Sequence, residues 1–304
     1  YTSNTMAKLA VKDGVAIIPE GTTRISNYAF DDCRTLESIV IPESVTEIGY
    51  AAFFRCVELK SIVIPKSVTK IGDNAFDGCS SLESITLPES VTSIGWYAFT
   101  GCTSLKNITL PDSVTFLGEN AFSGCTSLES ITISKSVTLI QHYTFNDCSS
   151  LKSITIPDSV KEIGTGAFRW CAALESVTIP ESVTRIGCYA FMGCTSLKNI
   201  TIPESVVRIE QNAFKGCTSL KSITIPESVR EIEEYAFEGC TSLTTVILPV
   251  RMKEINLTAF YKCPSLSTIY VPAKKTEYYK ELLPEKLHGK IVELELEKRT
   301  KVRK

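Results

Sequence analysis

The stretch Gly216-Cys-Thr-Ser-Leu-Lys-Ser-Ile-Thr-Ile-Pro-Glu-Ser-Val-Arg-Glu-Ile-Glu-Glu-Tyr-Ala-Phe237 decides the fold, because its pattern returns every 23 residues. A cysteine follows each repeating phenylalanine by three residues, and a leucine follows each cysteine by three. The phenylalanines are Phe30, Phe53, Phe76, Phe99, Phe122, Phe145, Phe168, Phe191, Phe214, Phe237 and Phe260. Eleven copies in one register predict a solenoid, in which stacked units share one core.

The first half of each unit is typical of a short strand. Leu36, Ile39 and Ile41 have the leucine-rich-repeat spacing L-x-x-L-x-L. The alternation of Ile39 and Ile41 predicts that both side chains point into the core. Pro42 ends the strand because proline has no N–H for the ladder.

The second half of each unit predicts a series of turns that brings the chain back to the next strand. Val45 and Ile48 lie three residues apart and indicate a tight turn or an irregular second strand. Residues 73–76 predict a single helical or 3₁₀ turn. A left-handed residue then closes that turn in most units, and glycine fills this position at Gly78, Gly101, Gly124, Gly193, Gly216 and Gly239.

These units predict an α/β repeat solenoid over residues 1–272, of about eleven coils with an incomplete first coil. The expected form is a right-handed leucine-rich-repeat superhelix, with short parallel strands on one face and short 3₁₀ or helical turns. The first coil is either an N-terminal cap or the cut edge of a longer array. Residues 273–304 predict a C-terminal cap, with a helix over 274–283, a strand over 290–296 and a basic tail.

Composition excludes several classes of function. A net charge of −2 gives no basis for binding nucleic acid, and no apolar run is long enough for membrane insertion. Eleven of the twelve cysteines share one repeat position, where their Cβ atoms point in the same direction. They are therefore predicted to be reduced, buried thiols. Cys188 lies outside this column and is interpreted as a chance substitution rather than a reactive thiol.

The unit C-x-x-L-x-x-I-x-I-P-x-x-V-x-x-I-G-x-x-A-F-x-x-C resembles the BspA-like class of leucine-rich repeats from Val11 to Pro272. Members of that class are mostly exported or cell-surface proteins of host-associated bacteria, with relatives in parasitic protozoa. Its founding member is an adhesin for matrix and clotting proteins. The resemblance implies a protein-binding solenoid and supplies no catalytic residues. One coil departs from the pattern, at Ser134, Gln141 and Thr144.

Two ladders of outward residues follow the strands. The first is polar and consists of Thr86, Thr109, Thr132, Thr155, Thr178, Thr201 and Thr224. It either reflects β-propensity and threonine stacking, which is the favoured interpretation, or forms a flat binding face. The second alternates in charge and is predicted to fix register: Glu37, Lys60, Glu83, Lys106, Glu129, Lys152, Glu175 and Lys198.

Apolar and aromatic residues replace charged ones in three neighbouring coils. They are Trp96, Tyr97, Phe116, Leu139, His142 and Tyr143, and we call this set the aromatic patch. It either marks a contact site for a partner, or its rings lie flat along the solenoid and cover the core edge. Phe54, Trp170 and Tyr261 are more scattered and are assigned no function.

Catalysis finds no support in the sequence. The two histidines, His142 and His288, lie far apart, and no nucleophile, metal or phosphate motif occurs. We therefore expect a cell-surface or secreted adhesion protein without cofactor or metal, monomeric, and binding a host or matrix protein. The alternatives are a spacer within a larger surface protein, then a carbohydrate-binding module, and last an enzyme.

Overall fold

The computed structural model describes residues 11–295 and shows a solenoid in which each coil contributes up to two short strands. The first strands, called the first row, are Val15–Ile17, Ser38–Val40, Ser61–Val63, Ser84–Thr86, Asn107–Thr109, Ser130–Thr132, Ser153–Thr155, Ser176–Thr178, Ser222–Thr224, Thr245–Ile247 and Thr268–Pro272. The second row consists of Arg24–Ile25, Glu47–Ile48, Lys70–Ile71, Ser93–Ile94, Phe116–Leu117, Leu139–Ile140, Glu162–Ile163, Arg185–Ile186, Arg208–Ile209, Glu231–Ile232 and Glu254–Ile255.

Paired strands of neighbouring coils run parallel within each row, and each residue faces its equivalent one repeat later. Ile108 pairs with Ile131 in the first row, and Ile48 pairs with Ile71 in the second. The first coil instead begins with a hairpin, in which Val11–Lys12 runs antiparallel to Val15–Ile17. Equivalent side chains therefore form columns along the solenoid, as the constant repeat length requires. The right-handed sense of the superhelix stays a prediction.

The core is built from these columns. The eleven repeating phenylalanine rings stack nearly parallel, with centroids 5.2–5.8 Å apart. The repeat cysteines beside them are buried and free, and Cys188 is free but partly exposed. The Cys125 thiol donates a hydrogen bond to the carbonyl oxygen of Phe99 in the preceding coil at 3.1 Å. Each buried thiol that makes this bond thus satisfies a core carbonyl while filling space.

Charged side chains bridge alternate junctions of the first row. The backbone N–H of Glu129 donates to the Lys106 carbonyl at 2.8 Å, whereas that of Lys152 reaches the Glu129 carbonyl only at 3.5 Å. Ion pairs cross three of the wider junctions: Lys60–Glu37, Lys152–Glu129 and Lys198–Glu175. Because these pairs are exposed, each adds little free energy. Their regular placement agrees with a role in register.

The helical or 3₁₀ turn expected in each coil takes the form of separate hydrogen-bonded turns rather than a helical segment. Residues such as Ala75 and Asp77 do donate i→i−3 hydrogen bonds, to Gly72 and Asn74 respectively. However, Asn74 has φ of 55° and Gly78 has φ of 74°, so two left-handed residues four positions apart interrupt the chain here. Separate turns result, because a 3₁₀-helix needs consecutive right-handed residues.

Large residues at left-handed positions are followed by a small residue one coil later. The Tyr143 ring lies so close to Gly166 that a Cβ there would be 2.4 Å from a ring carbon. Trp170 covers Gly193 in the same way, at 2.3 Å. At the position of Tyr143, the sequence from coil to coil reads Tyr97, Asn120, Tyr143, Gly166, Tyr189, Asn212, Tyr235 and Thr258. Tyrosine therefore occupies every second coil of this stretch.

The second row is interrupted at two junctions. Phe116–Leu117 does not pair with Leu139–Ile140, and Arg185–Ile186 does not pair with Arg208–Ile209. At each interruption a glycine is followed one coil later by a larger residue, Gln141 or Glu210.

The spacing of the coils explains the first interruption. A Cβ at Gly118 would lie only 2.5 Å from the backbone of Gly95 and Trp96, so glycines here stack in direct contact. Gln141 brings a side chain to the repeat position that follows Gly118, and the Phe122–Phe145 distance is the longest of the column, at 5.8 Å.

The C-terminal segment packs on the last coil. An α-helix, Thr276–Leu282, is followed by a 3₁₀-helix, Glu285–Lys290, and by a strand, Ile291–Leu294, that pairs in parallel with Thr268–Pro272. Tyr279 of the α-helix is fully buried, and its hydroxyl donates to the Pro249 carbonyl. The function of this segment as a cap and the boundary at residue 272 stay predictions. The basic tail lies outside the described residues.

Candidate interaction surfaces

The aromatic patch divides into an exposed and a half-buried part. Trp96, Tyr97 and Phe116 are exposed, at 51%, 41% and 38% of their surface. Leu139, His142 and Tyr143 are half-buried. Phe116 pairs in register with Ser93 of the preceding coil, and Trp96 follows Ser93 by three residues. The exposed part thus lies on two adjacent coils.

The half-buried part takes part in coil-to-coil contacts. The His142 Nδ1 atom accepts a hydrogen bond from the Thr165 backbone N–H at 2.9 Å. The Tyr143 ring lies against Gly166. These contacts agree with the interpretation that rings lie along the solenoid, whereas Trp96, Tyr97 and Phe116 keep surface for a partner. Binding of a partner by the patch stays a prediction.

The threonine ladder faces solvent, as the alternation predicts. Thr109, Thr132, Thr155 and Thr178 are exposed. The neighbouring polar column is linked across coils, since the Ser130 hydroxyl donates to Asn107 Oδ1 at 2.6 Å. This surface is flat and polar, and its role as a binding face stays a prediction.

The sequence analysis missed that the first three coils have apolar residues at the threonine position. Ile17, Val40 and Val63 occupy the threonine position in the first three coils, and each is more than half exposed. The signal was present in the repeat alignment, where aliphatic residues change to threonine at Thr86. The strand face is therefore apolar in its first three coils and carries threonine from Thr86 to Thr224.

An acidic groove also went unnoticed. It is lined by Gln211, Glu231, Ile232, Glu233, Glu234, Glu254 and Asn256. Arg208 forms ion pairs with Glu231 at 2.6 Å and Glu233 at 3.2 Å, and Lys253 approaches Glu231 at 3.4 Å. These two cations offset part of the groove's negative charge.

Cys188 lacks the features of an activated thiol. Its Sγ atom lies 3.3 Å from Glu210 Oε2 and donates a hydrogen bond to it. Burial, and next the Glu210 carboxylate, raise the pKa of the Cys188 thiol above its usual value. The neutral thiol therefore predominates near neutral pH, in agreement with a chance substitution.

Within residues 11–295, no three His, Cys, Asp or Glu side chains form a group suited to a metal ion. The same residues include no helix with the length and hydropathy needed to cross a bilayer.

Comparison with known proteins identifies the family. The model of the BspA type leucine rich repeat region, with six copies, matches residues 15–125, 71–184 and 161–284. These matches overlap and together cover most of the chain, so the chain belongs to the BspA type leucine-rich-repeat family. The resemblance inferred from the repeat unit is confirmed.

Solved structures show the same fold. A leucine rich cell surface protein of Faecalibacterium prausnitzii is 29% identical, with a TM-score of 0.54 over 88% of this chain and 90% of that protein. A leucine-rich repeat protein of Bacteroides ovatus is 32% identical over 92% of both chains, with a TM-score of 0.47. The pneumococcal vaccine antigen PcpA is 22% identical, with a TM-score of 0.62 over 92% of this chain and 79% of PcpA. No functionally curated protein matches this sequence.

Proposed function

We propose that this protein is a cell-surface or secreted solenoid that adheres to host or extracellular-matrix proteins through the aromatic patch. The observation that carries the proposal is the exposure of Trp96, Tyr97 and Phe116. The position of Phe116 holds Glu47, Glu162 and Arg185 in other coils, so no requirement of the repeat explains an exposed aromatic residue there.

Physical chemistry supports a protein as the partner. Tryptophan and tyrosine dominate the binding energy of protein interfaces, because they bury a large area and lose little conformational entropy. The half-buried His142 and Tyr143 contact the following coil, which gives the patch a rigid base. A rigid surface loses less entropy when it binds.

Family membership supports the broader part of the proposal. Solenoids of this family typically act as non-enzymatic binding scaffolds, and we propose no enzymatic activity here. The F. prausnitzii neighbour is described as a cell surface protein, which favours the same location for this chain. A net charge of −2 favours a protein rather than a nucleic acid as partner. We propose a monomer.

The threonine face supports a second candidate for the binding surface. Its exposed threonines are in register from coil to coil, as Thr109 is with Thr132, and offer a row of hydroxyl groups to a protein or a carbohydrate. A spacer role, in which neither surface binds a partner, is the remaining alternative.

A binding assay tests the proposal. The immobilised chain is presented to host matrix and plasma proteins, beside a variant with Trp96, Phe116 and Leu139 changed to serine. A matched control changes Ile17, Val40 and Val63 to serine, which removes three other partly or largely exposed apolar residues from the strand face. We expect a saturable partner that the patch variant loses and the control retains.

Other outcomes separate the alternatives. A partner retained by the patch variant and lost by threonine-to-alanine changes on the strand face would place the site there. No saturable partner for the unaltered chain would favour the spacer role.

A further inference from the structure

Arg169 is an arginine without an acidic partner. Its guanidinium carbon lies 4.3 Å from the centre of the Trp170 ring. Within residues 11–295 it makes no ion pair, whereas Arg185 and Arg208 each bind two carboxylates. Its Nε atom is buried and has no hydrogen-bond partner. The hydrogen-bonding capacity of this guanidinium is therefore unused.

A second unpartnered atom lies in the preceding coil. Asn146 occupies the same repeat position as Arg169, one coil earlier. Its Nδ2 group donates to Ser123 Oγ at 3.1 Å, but its Oδ1 atom is buried without a partner. Buried polar atoms are almost always hydrogen-bonded in folded proteins. Both atoms are enclosed by the protein, and they lie at one repeat position in adjacent coils.

Trp170 is held in a conformation that its side chain does not favour. Its φ is 61°, at a repeat position where six other coils have glycine. A left-handed conformation is unfavourable for a non-glycine residue, and Arg55 and Lys262 share it at this repeat position. The indole is nevertheless 47% exposed, so burial offsets only part of this cost.

The residues after the pair and in the following coil are apolar, whereas Asn146 and Asp147 occupy the equivalent positions of the preceding coil. Ala172 and Ala173 replace the Thr-Ser or Ser-Ser pair that follows the repeat cysteine in most coils. Met192 occupies the position of Arg169 in the next coil. Its carbonyl oxygen accepts a hydrogen bond from the backbone N–H of Trp170 at 2.7 Å. A cation on an apolar surface binds an anionic group more strongly than one surrounded by water.

We infer that Arg169 and Trp170 form a binding site for an acidic side chain of a protein partner, separate from the aromatic patch. The carboxylate of a glutamate or aspartate pairs with the free guanidinium, and the apolar chain beside it packs on Trp170 and Ala172. Stacking on Trp170 fixes the orientation of the guanidinium before binding. Arginine and tryptophan are also the residue types most enriched among dominant contacts of protein interfaces.

Fluorescence tests this site directly, because the chain has two tryptophans. In a Trp96→Phe variant, Trp170 alone reports binding. The probe is a capped hexapeptide of alternating glutamate and alanine, and the same peptide with glutamine serves as the neutral control. We expect a saturable change in fluorescence with the glutamate peptide only, and weaker binding at higher salt.

Substitutions then assign the effect to Arg169. Arg169→Gln should weaken binding about tenfold or more, as expected for loss of a hydrogen-bonded ion pair. Arg169→Lys keeps the charge without the planar fork and should give an intermediate affinity. Arg55→Gln is the matched control, since Arg55 also stacks on its neighbour, Phe54, at 5.0 Å. It should bind as the parent does.

Three results would overturn the inference. One is no saturable response to the glutamate peptide. Another is equal affinity in Arg169→Gln, with circular dichroism showing the parental fold. The third is tighter binding of polygalacturonate, matched in carboxylate concentration, which would assign the site to an acidic polysaccharide instead.

Discussion

The Nδ1 atom of His142 accepts a hydrogen bond from the backbone N–H of Thr165 at 2.9 Å, and so joins two neighbouring coils. Asp73 forms the equivalent bond through its Oδ1 atom, to the N–H of Trp96 at 2.9 Å. His142 therefore links its coil to the next one in the same way as Asp73 does. His142 thus has a structural role at the base of the aromatic patch.

This relationship predicts a specific pattern of stability. His142→Ala should lower the free energy of unfolding by about 1 kcal/mol, because the Thr165 N–H loses its partner. His142→Asp should retain most of the stability, because Asp73 supports the same bond. Urea unfolding followed by circular dichroism measures both. Equal losses in the two variants would contradict the assignment.

The interrupted second row predicts local exchange behaviour. Among residues 11–295, the Gln141 backbone N–H has no hydrogen-bond acceptor, whereas the equivalent N–H of Gly164 donates to the Ile140 carbonyl at 2.8 Å. Amide hydrogen exchange should therefore be much faster at Gln141 than at Gly164. Gln141→Gly removes the side chain and should slow exchange at this position. Unchanged exchange after the substitution would show that another contact opens the junction.

The phenylalanine column predicts a large effect at its centre. Phe122 is fully buried and lies between Phe99 and Phe145, at 5.2 and 5.8 Å. Phe122→Ala should lower the free energy of unfolding by about 3–5 kcal/mol, since it removes buried area and leaves a cavity. Phe116→Ala is the control, and its effect should be much smaller because Phe116 is exposed. Denaturant unfolding of both variants measures the difference.

Buried thiols predict a loss of stability in alkali. Burial raises the pKa of Cys125 and of Cys217 to about 12. Below the unfolded-state pKa of about 8.5, both states keep the thiols neutral and stability does not depend on them. Above it only the unfolded state ionises, so stability should fall by about 1.4 kcal/mol per pH unit for each such thiol.

Melting temperatures between pH 7 and pH 10 check this expectation. Cys125→Ala and Cys217→Ala together should make the decline shallower, although they lower stability at neutral pH. A decline of the same steepness in the double variant would assign the alkaline loss to other groups.

The repeat made most of the fold predictable from sequence. Because Ile39 and its equivalents recur at one period, the columns and the parallel strands follow from periodicity alone. The left-handed backbone conformations were harder to predict from the sequence. Tyr97 and Tyr143 have φ of 58° and 54°, which tyrosine rarely adopts, and only the stacked coils reveal why each ring is accommodated.

The candidate sites were predictable only in part. Sequence placed Trp96 and Phe116 outward, but it could not show that His142 is engaged by Thr165, because that bond depends on the spacing between coils. The sequence analysis assigned no function to Trp170, because a sequence does not show that the neighbouring Arg169 lacks an ion-pair partner. Absent contacts are visible in three dimensions and not in a repeat alignment.

The alternation of large and small residues limits how such an array changes length. Between Tyr97 and Tyr235, tyrosine alternates with a smaller residue from coil to coil, and the Tyr143 ring lies against Gly166. Duplication or deletion of two coils preserves that order, whereas loss of a single coil places one ring directly upon another. We therefore expect this part of the chain to tolerate the gain or loss of a pair of repeats better than that of a single repeat.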